Sequence, residues 1–359
     1  MSVRTKDIED MLTATYSKLK KNEIIDISQE LTEYVVMPYL MKAAGGVQKV
    51  RGGVGLEKTL MIQHGAGGKF IGEYDEDTVN VIDLLKRMKV DFCLYTDGIA
   101  HSKGELEDNR GEERINNVIK PRRRAMYVAA AEKMESTFFA TPDASDDLTP
   151  WGLKYWIVAN ATAGFNGGYA SGFTKVGNIN LTEVPNFKNY TNSYTSITKG
   201  DLGLKMKRAH RATKFKAPRK DAGFKGDAMP RKRVYLTSEG VLEGLENIAE
   251  AQNENLGNDI APKVAGAGNW GLRSDGDGNV LFKSNPFVYC ELLDDDTTDP
   301  VYGLDMSTIN MLVKMGSDMD LGDFRVAPSQ SRVFKAVLYH RYQSICTNRR
   351  NNFVIAKLG

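Results

Sequence analysis

The residues best suited to chemistry are few and poorly grouped. Four histidines, His64, His101, His210 and His340, lie far apart, with no second histidine or carboxylate at metal-ligand spacing. Surface or satisfied core histidine is the simpler reading of each. Gly65-Ala66-Gly67-Gly68-Lys69-Phe70 looks at first like a phosphate loop. The required spacing is absent: Phe70 stands where the metal-binding hydroxyl belongs and Gln63 where the first glycine belongs. A hairpin tip carrying Gly65, Gly67, Gly68 and Lys69 fits better. Asp275, Asp277 and Asn279 begin like a calcium loop, but Val280 takes the glycine position and Pro286 the bidentate position, which leaves a plain turn. No G-x-S-x-G elbow occurs. The expectation is therefore no catalytic, cofactor-binding or metal-ligating set.

Charge offers more. Arg122-Arg123-Arg124 is a compact cationic run, and residues 205–233 hold twelve Lys or Arg against Asp221 and Asp227, a net charge of +10. Such clusters suit phosphates without sequence preference, and equally suit salt bridges to a protein partner or simple solvation. Asp294-Asp295-Asp296 reads as a solvated acidic loop or a charge contact.

The elements that would carry these residues follow from periodicity. Ile8, Met11, Leu12, Tyr16 and Leu19 recur at helical spacing, and a second helical stretch covers Leu31 to Met41, interrupted by Pro38. Residues 48–98 are glycine-punctuated and end in the alternating run Met88 to Leu94, which predicts a long β-hairpin. Arms of about 18 residues would reach about 60 Å, against a radius of gyration near about 20 Å for a compact globule of this length. Such a hairpin would project and seek a partner. Ile115, Ile119, Met126, Ala130, Met134 and Phe138 mark one face of a helix over 112–139, about 42 Å long, with a kink expected at Pro121. A shorter helix is expected over 199–212, a strand at Val234-Tyr235-Leu236, and a helix capped by Ser238. A hairpin around 275–279, a strand at 286–289 and alternation over 333–342 and 352–356 complete an α+β pattern.

The bulk numbers set limits. A chain of 359 residues, 41% apolar and 26% charged, buries a sizeable core in one or two domains. Its net charge of +2 gives no global pull toward nucleic acid or membrane. Cys93, Cys290 and Cys346 are odd in number and widely spaced, which fits a reducing compartment and no disulfide framework. The start turns polar at once and no apolar run approaches about 20 residues, so a cytosolic product without a membrane span is expected.

Several unusual runs carry a resemblance. They are Thr149-Pro150-Trp151-Gly152-Leu153-Lys154-Tyr155-Trp156-Ile157-Val158, continuing to Gly168; Ala251 to Asp259; Thr298-Asp299-Pro300-Val301-Tyr302-Gly303; and Arg349-Arg350-Asn351-Asn352-Phe353-Val354. Together they resemble segments of the major capsid proteins of tailed bacteriophages with the Hong Kong 97-type fold, from about residue 110 to the end. The runs hold no known chemical mechanism, and packing and loop shape are their expected role. The N-terminal third matches in layout only.

The resemblance implies an N-terminal arm (1–47), an E-loop hairpin (48–98), a peripheral domain (99–235) with a spine helix over 112–139, an axial domain (236–317), and a return to the peripheral domain (318–359). It implies self-assembly as hexamers and pentamers into an icosahedral shell around double-stranded DNA. Portal and scaffolding proteins, and decoration proteins in some cases, would be partners. The place would be the virion, after synthesis in the host bacterial cytoplasm. Arg122, Arg123 and Arg124 become candidates to face DNA or a neighbouring subunit. Some shells of this kind carry Lys–Asn isopeptide links, which draws notice to Lys69 with Asn351 or Asn352. An encapsulin-type nanocompartment and a free nucleic-acid-binding protein are the alternatives.

Overall fold

The computed structural model describes residues 47–62, 70, 72–73, 83–108, 119–214, 233–256, 272–274, 280–328 and 330–358. In chain order the elements are β1 (Val47–Val50), β2 (Gly55–Met61), β3 (Leu85–Asp91), β4 (Cys93–Ser102), α1 (Lys103–Asp108), α2 (Ile119–Phe139), α3 (Leu153–Trp156), β5 (Tyr190–Ser193), α4 (Leu202–Ala212), β6 (Arg233–Thr237) and α5 (Glu239–Leu256). They continue with β7 (Leu272–Ser274), β8 (Val280–Phe282), β9 (Asn285–Tyr289), β10 (Val301–Asp305), β11 (Ile309–Lys314), β12 (Asp320–Leu321), β13 (Arg325–Ala327), β14 (Gln330–Cys346) and β15 (Phe353–Ala356). Mixed sheets with separate helices make the class α+β, as the periodicities predict. The expected helices at 8–19 and 31–41, and the N-terminal arm with them, lie outside the described residues.

The chain forms two compact units, and the division falls within α2 and within β14. One unit takes its described residues from Leu94–Met134 and Gly316–His340. In it β4, β12 and β13 all pair with β14. Ala336, Leu338 and His340 are buried while Val337 and Tyr339 point outward, the expected period of two. Met126 and Ala130 of α2 close on Ile99, Ala336 and Leu338. These helical positions are four apart, so they stack on one face. The helix runs through Pro121 without interruption over the described residues.

The other unit is organised by a seven-stranded sheet in the order β5-β15-β10-β6-β9-β8-β7. Of residues 236–317, strands β7 to β10 and the end of β6 share this sheet with β5 and β15, while β11 pairs with β1 and β14 in the other sheet. Val234, Tyr235 and Leu236 are buried, as are all four residues of β15, because both faces of these strands are covered. Leu202, Met206 and Ala209 of α4, spaced by four and three, pack with Val241 and Leu245 of α5 against Tyr235, Phe282, Phe287 and Phe353. The α5 start is held by Asp294, whose Oδ1 accepts from Glu239 N at 2.8 Å. Ser238 was the expected cap; its hydroxyl instead donates to Asp299 Oδ1 at 3.3 Å.

Candidate functional site

The expected hairpin is present, and its described paired part is short. Residues Gly55 to Met61 pair with Asp91 to Leu85 in unbroken antiparallel register. Seven residues per strand span about 24 Å, less than the arm estimated from sequence. At the base, β1 leaves to pair in parallel with β11 and β4 joins β14. The ribbon is seated on its own unit. Met88 is fully buried, and Gly177, at φ +54, leaves room for it where a Cβ would come within 2.8 Å of the Met88 side chain. Lys89 N donates to Gly177 O at 3.0 Å, and Asn186 Nδ2 donates to Ile62 O at 3.2 Å. At the far end the paired Met61 and Leu85 are 51% and 57% exposed. The tip candidates Gly65, Gly67, Gly68 and Lys69 lie outside the described residues.

The arginine triplet is divided in its roles. Arg122 grips Glu105 with both terminal nitrogens, at 2.9 and 3.1 Å, and also donates to Ala100 O at 3.1 Å. Glu105 is itself half of a capping box, accepting from Ser102 N while its own N–H donates to Ser102 Oγ. The hydrogen bond from Arg122 holds the Glu105 carboxyl below its ordinary value. Arg123 lies over the Phe324 ring at 5.7 Å, and Arg124 is exposed. Arg122 and Arg123 thus have structural work inside their own unit, which sequence reading alone did not separate from phosphate binding.

Three of the four runs that carry the resemblance, those at 149–168, 298–303 and 349–354, converge. Trp156 is buried and donates from Nε1 to Ser344 Oγ at 3.1 Å. Arg349 is wholly buried. Its Nε donates to Trp156 O, and its Nη2 donates to Gly168 O and to Asn189 Oδ1, both at 3.0 Å. No carboxylate meets this guanidinium among the described residues, and burial lowers its pKa to about 10. Asn189 also accepts from Val158 N and donates to Val158 O. Gly303 packs on Phe353, where a Cβ would fall 2.3 Å from the ring. These residues bind one another and present no reactive group, which agrees with a packing role. Tyr155 and Cys346, both buried, have pKa values pushed up to about 12 by desolvation.

Other sequence candidates resolve simply. Asn352 is fully buried; its Oδ1 accepts from Asp305 N at 2.7 Å and its Nδ2 donates to Thr308 Oγ1 at 3.0 Å. Asn351 is buried as well, so neither amide faces an incoming lysine and the isopeptide idea fails at this end. Asp296 pairs with Lys154 at 2.9 Å, and Asp294 accepts from Tyr289 Oη at 2.6 Å. The acidic run is therefore used internally. His101 lies between the Phe324 and Phe334 rings, His340 accepts from Met319 N at 3.2 Å, and no metal-holding cluster occurs among the described residues. The calcium-like turn at 275–279 lies outside them.

A basic face was only half visible in the sequence. Lys207, Arg211 and Lys214 follow one another at four and three residues, and Lys283 joins them from the β8–β9 turn. Repulsion from Arg211, Lys207 and Lys214 adds to burial in lowering the Lys283 pKa. Residues 215–232, the rest of the basic run, lie outside the described residues.

No family model matches the chain, and no curated protein matches it. Solved structures do. The capsid asymmetric unit of cyanophage A-1(L) superposes with a TM-score of 0.62 at 16% identity, covering 96% of this chain and 99% of that one. The capsid of a native GTA particle gives 0.55 at 9% identity, with 96% and 98% covered. The capsid of Myoviridae phage XM1 gives 0.51 at 11% identity, with 94% and 97% covered. At these identities it is the fold that is shared, over 94–96% of this chain. No helix among the described residues is long and apolar enough to cross a membrane.

Proposed function

We propose that the chain is the major capsid protein of a tailed bacteriophage. It assembles as hexamers and pentamers into an icosahedral shell that encloses double-stranded DNA. The observation that carries this reading is the two-way coverage by phage capsid chains: almost nothing of either partner is left over. A supporting feature is the ribbon end, where Met61 and Leu85 leave apolar surface to water that a neighbouring copy would cover. Each subunit would hold several neighbours at once, so no single contact needs to be strong. The role is structural rather than catalytic. Portal and scaffolding proteins are the expected further partners, and the virion the expected place. The N-terminal arm, E-loop, spine-helix, peripheral and axial assignments, with Arg122–Arg124 and the 65–69 tip as contact candidates, belong to the same proposal.

Electron microscopy and analytical ultracentrifugation of the purified chain test it. Shells, tubes, or isolated rings of five and six are the expected products. A stable monomer, with or without a scaffold protein from the same genome, would overturn the reading. Particles filled with a cargo enzyme rather than DNA would move it to the encapsulin-type alternative.

A further inference from the structure

Like charges gather where the fold did not need them. Lys207 and Arg211 occupy one face of α4, opposite the buried Leu202, Met206 and Ala209, and Lys214 follows just past the helix end. None of the three pairs with a carboxylate among the described residues, whereas Lys205 on the same helix pairs with Asp201. Cations near a helix C-terminus are favoured by its dipole, and that accounts for Arg211 and Lys214. It does not account for Lys283, which comes from a different element.

Lys283 sits at the tip of the β8–β9 hairpin, in a two-residue turn with Lys283 at φ +49 and Ser284 at φ +66. Turns of this kind favour Asn-Gly, because both central residues are left-handed. Here a lysine and a serine bear the strain. Asn285 Nδ2 ties the turn by donating to Lys283 O at 3.0 Å. Phe282 locks it to α4: its ring meets His210 of that helix at 6.1 Å and lies 5.8 Å from Lys283 Nζ. The turn therefore spends backbone strain to hold an ammonium against three other cations. An unfavourable local geometry that places a functional group is a mark of function rather than of stability.

From this we infer that the α4 face and the Lys283 turn form a sequence-independent contact for the phosphate backbone of nucleic acid. Lysine is depleted in protein–protein interfaces, which centre on apolar and aromatic anchors. Among the described residues this face has four cations, one exposed apolar side chain, Leu204, and no exposed aromatic anchor. Nucleic-acid contacts are the strongly positive kind of interface. The inference deepens the shell reading by naming a face of the subunit that meets the enclosed DNA.

The test uses the full chain and a fluorescein-labelled 30-base-pair duplex, with anisotropy followed across salt concentrations. The variant Lys207→Gln/Arg211→Gln/Lys283→Asn is compared with wild type. Removing three phosphate contacts lowers the slope of log K against log salt by about 3 and weakens binding at least about tenfold at low salt. Lys283→Asn alone relieves the turn, so it raises the unfolding midpoint while lowering affinity, a combination that a purely structural lysine does not give. An unchanged slope in the triple variant overturns the inference. So does a wild-type chain that binds polyglutamate more tightly than the duplex, or no duplex at all. Particle formation is scored separately: shells without a duplex contact sink this inference alone, and duplex binding without shells sinks the shell reading alone.

Discussion

Arg349 donates to Asn189 Oδ1 at 3.0 Å from a position with no exposure to solvent. The two residues come from sequence runs 160 positions apart, and between them they organise the loop that follows α3. A buried guanidinium among neutral acceptors is costly unless its planar fork is matched. Trp156 O, Gly168 O and Asn189 Oδ1 match Nε and Nη2, while Nη1 is buried without a hydrogen-bond partner among the described residues.

Arg349→Lys should therefore not behave as a conservative change. A lysine ammonium cannot reach all three acceptors, and the orphaned carbonyls remain buried. A loss of about 2–4 kcal/mol is expected, read by urea unfolding followed through tryptophan fluorescence. A loss below about 0.5 kcal/mol, the range of ordinary surface substitutions, would show that the pin contributes nothing.

The same loop offers a pair of adjacent glycines with opposite expectations. A Cβ on Gly167 would fall 1.9 Å from Asn189 Oδ1, while one on Gly168 meets nothing within 4 Å. Gly167→Ala should cost about 1–3 kcal/mol by overpacking a site whose amide is already committed to four bonds. Gly168→Ala should fall within about 0.5 kcal/mol of wild type. Thermal unfolding of the two variants side by side decides it, and equal effects would mean that the loop yields freely.

Much of this arrangement was legible beforehand, and the exceptions share a cause. The α2 face of Met126, Ala130, Met134 and Phe138, the β14 alternation and the β2–β3 pairing follow from local periodicity, which a sequence displays directly. The parallel pairing of β1 with β11 joins Val47 to Met311, and nothing local in either segment announces it. The cap on α5 was assigned to the adjacent Ser238, whereas Asp294 reaches it across 55 residues. Lys283 is one lysine in a turn until Phe282 brings it onto α4. Long-range partners choose among locally equivalent residues, and that choice is invisible in a single chain of letters.

Acid should weaken the subunit through His210. Its Nδ1 lies 3.2 Å from Arg233 Nη1 and 3.0 Å from Tyr235 Oη. Arginine can only donate, so Nδ1 accepts and the ring is neutral. Burial, and then the charges of Arg233, Lys283 and Lys214, lower its pKa to about 4. Between about 6.5 and 4 the unfolded chain binds a proton that the folded chain refuses, so stability falls as pH drops through that window. The contribution is of order 1–3 kcal/mol. Urea midpoints measured from pH 7 to pH 4 should decline, and His210→Asn should flatten part of the decline. His340, whose pKa burial also lowers, supplies a remainder. Identical slopes in wild type and His210→Asn would refute the assignment.

Truncating the hairpin separates folding from assembly. The ribbon is fixed at its base by Met88, Val90 and the bond from Lys89 N to Gly177 O, and Ile62 N still donates to Leu84 O at 3.0 Å. Replacing residues 63–83 by Asn-Gly closes the strands with a favoured two-residue turn and leaves those anchors in place. The subunit should keep its unfolding midpoint within a few degrees. Assembly should fail, because the variant lacks Lys69 and the other tip residues proposed as contacts to an adjacent copy. Sedimentation of wild type and variant under assembly conditions reads this directly. Particles from the variant in normal yield would remove the hairpin from the assembly contacts and leave its apolar end, Met61 and Leu85, without the neighbour proposed for it.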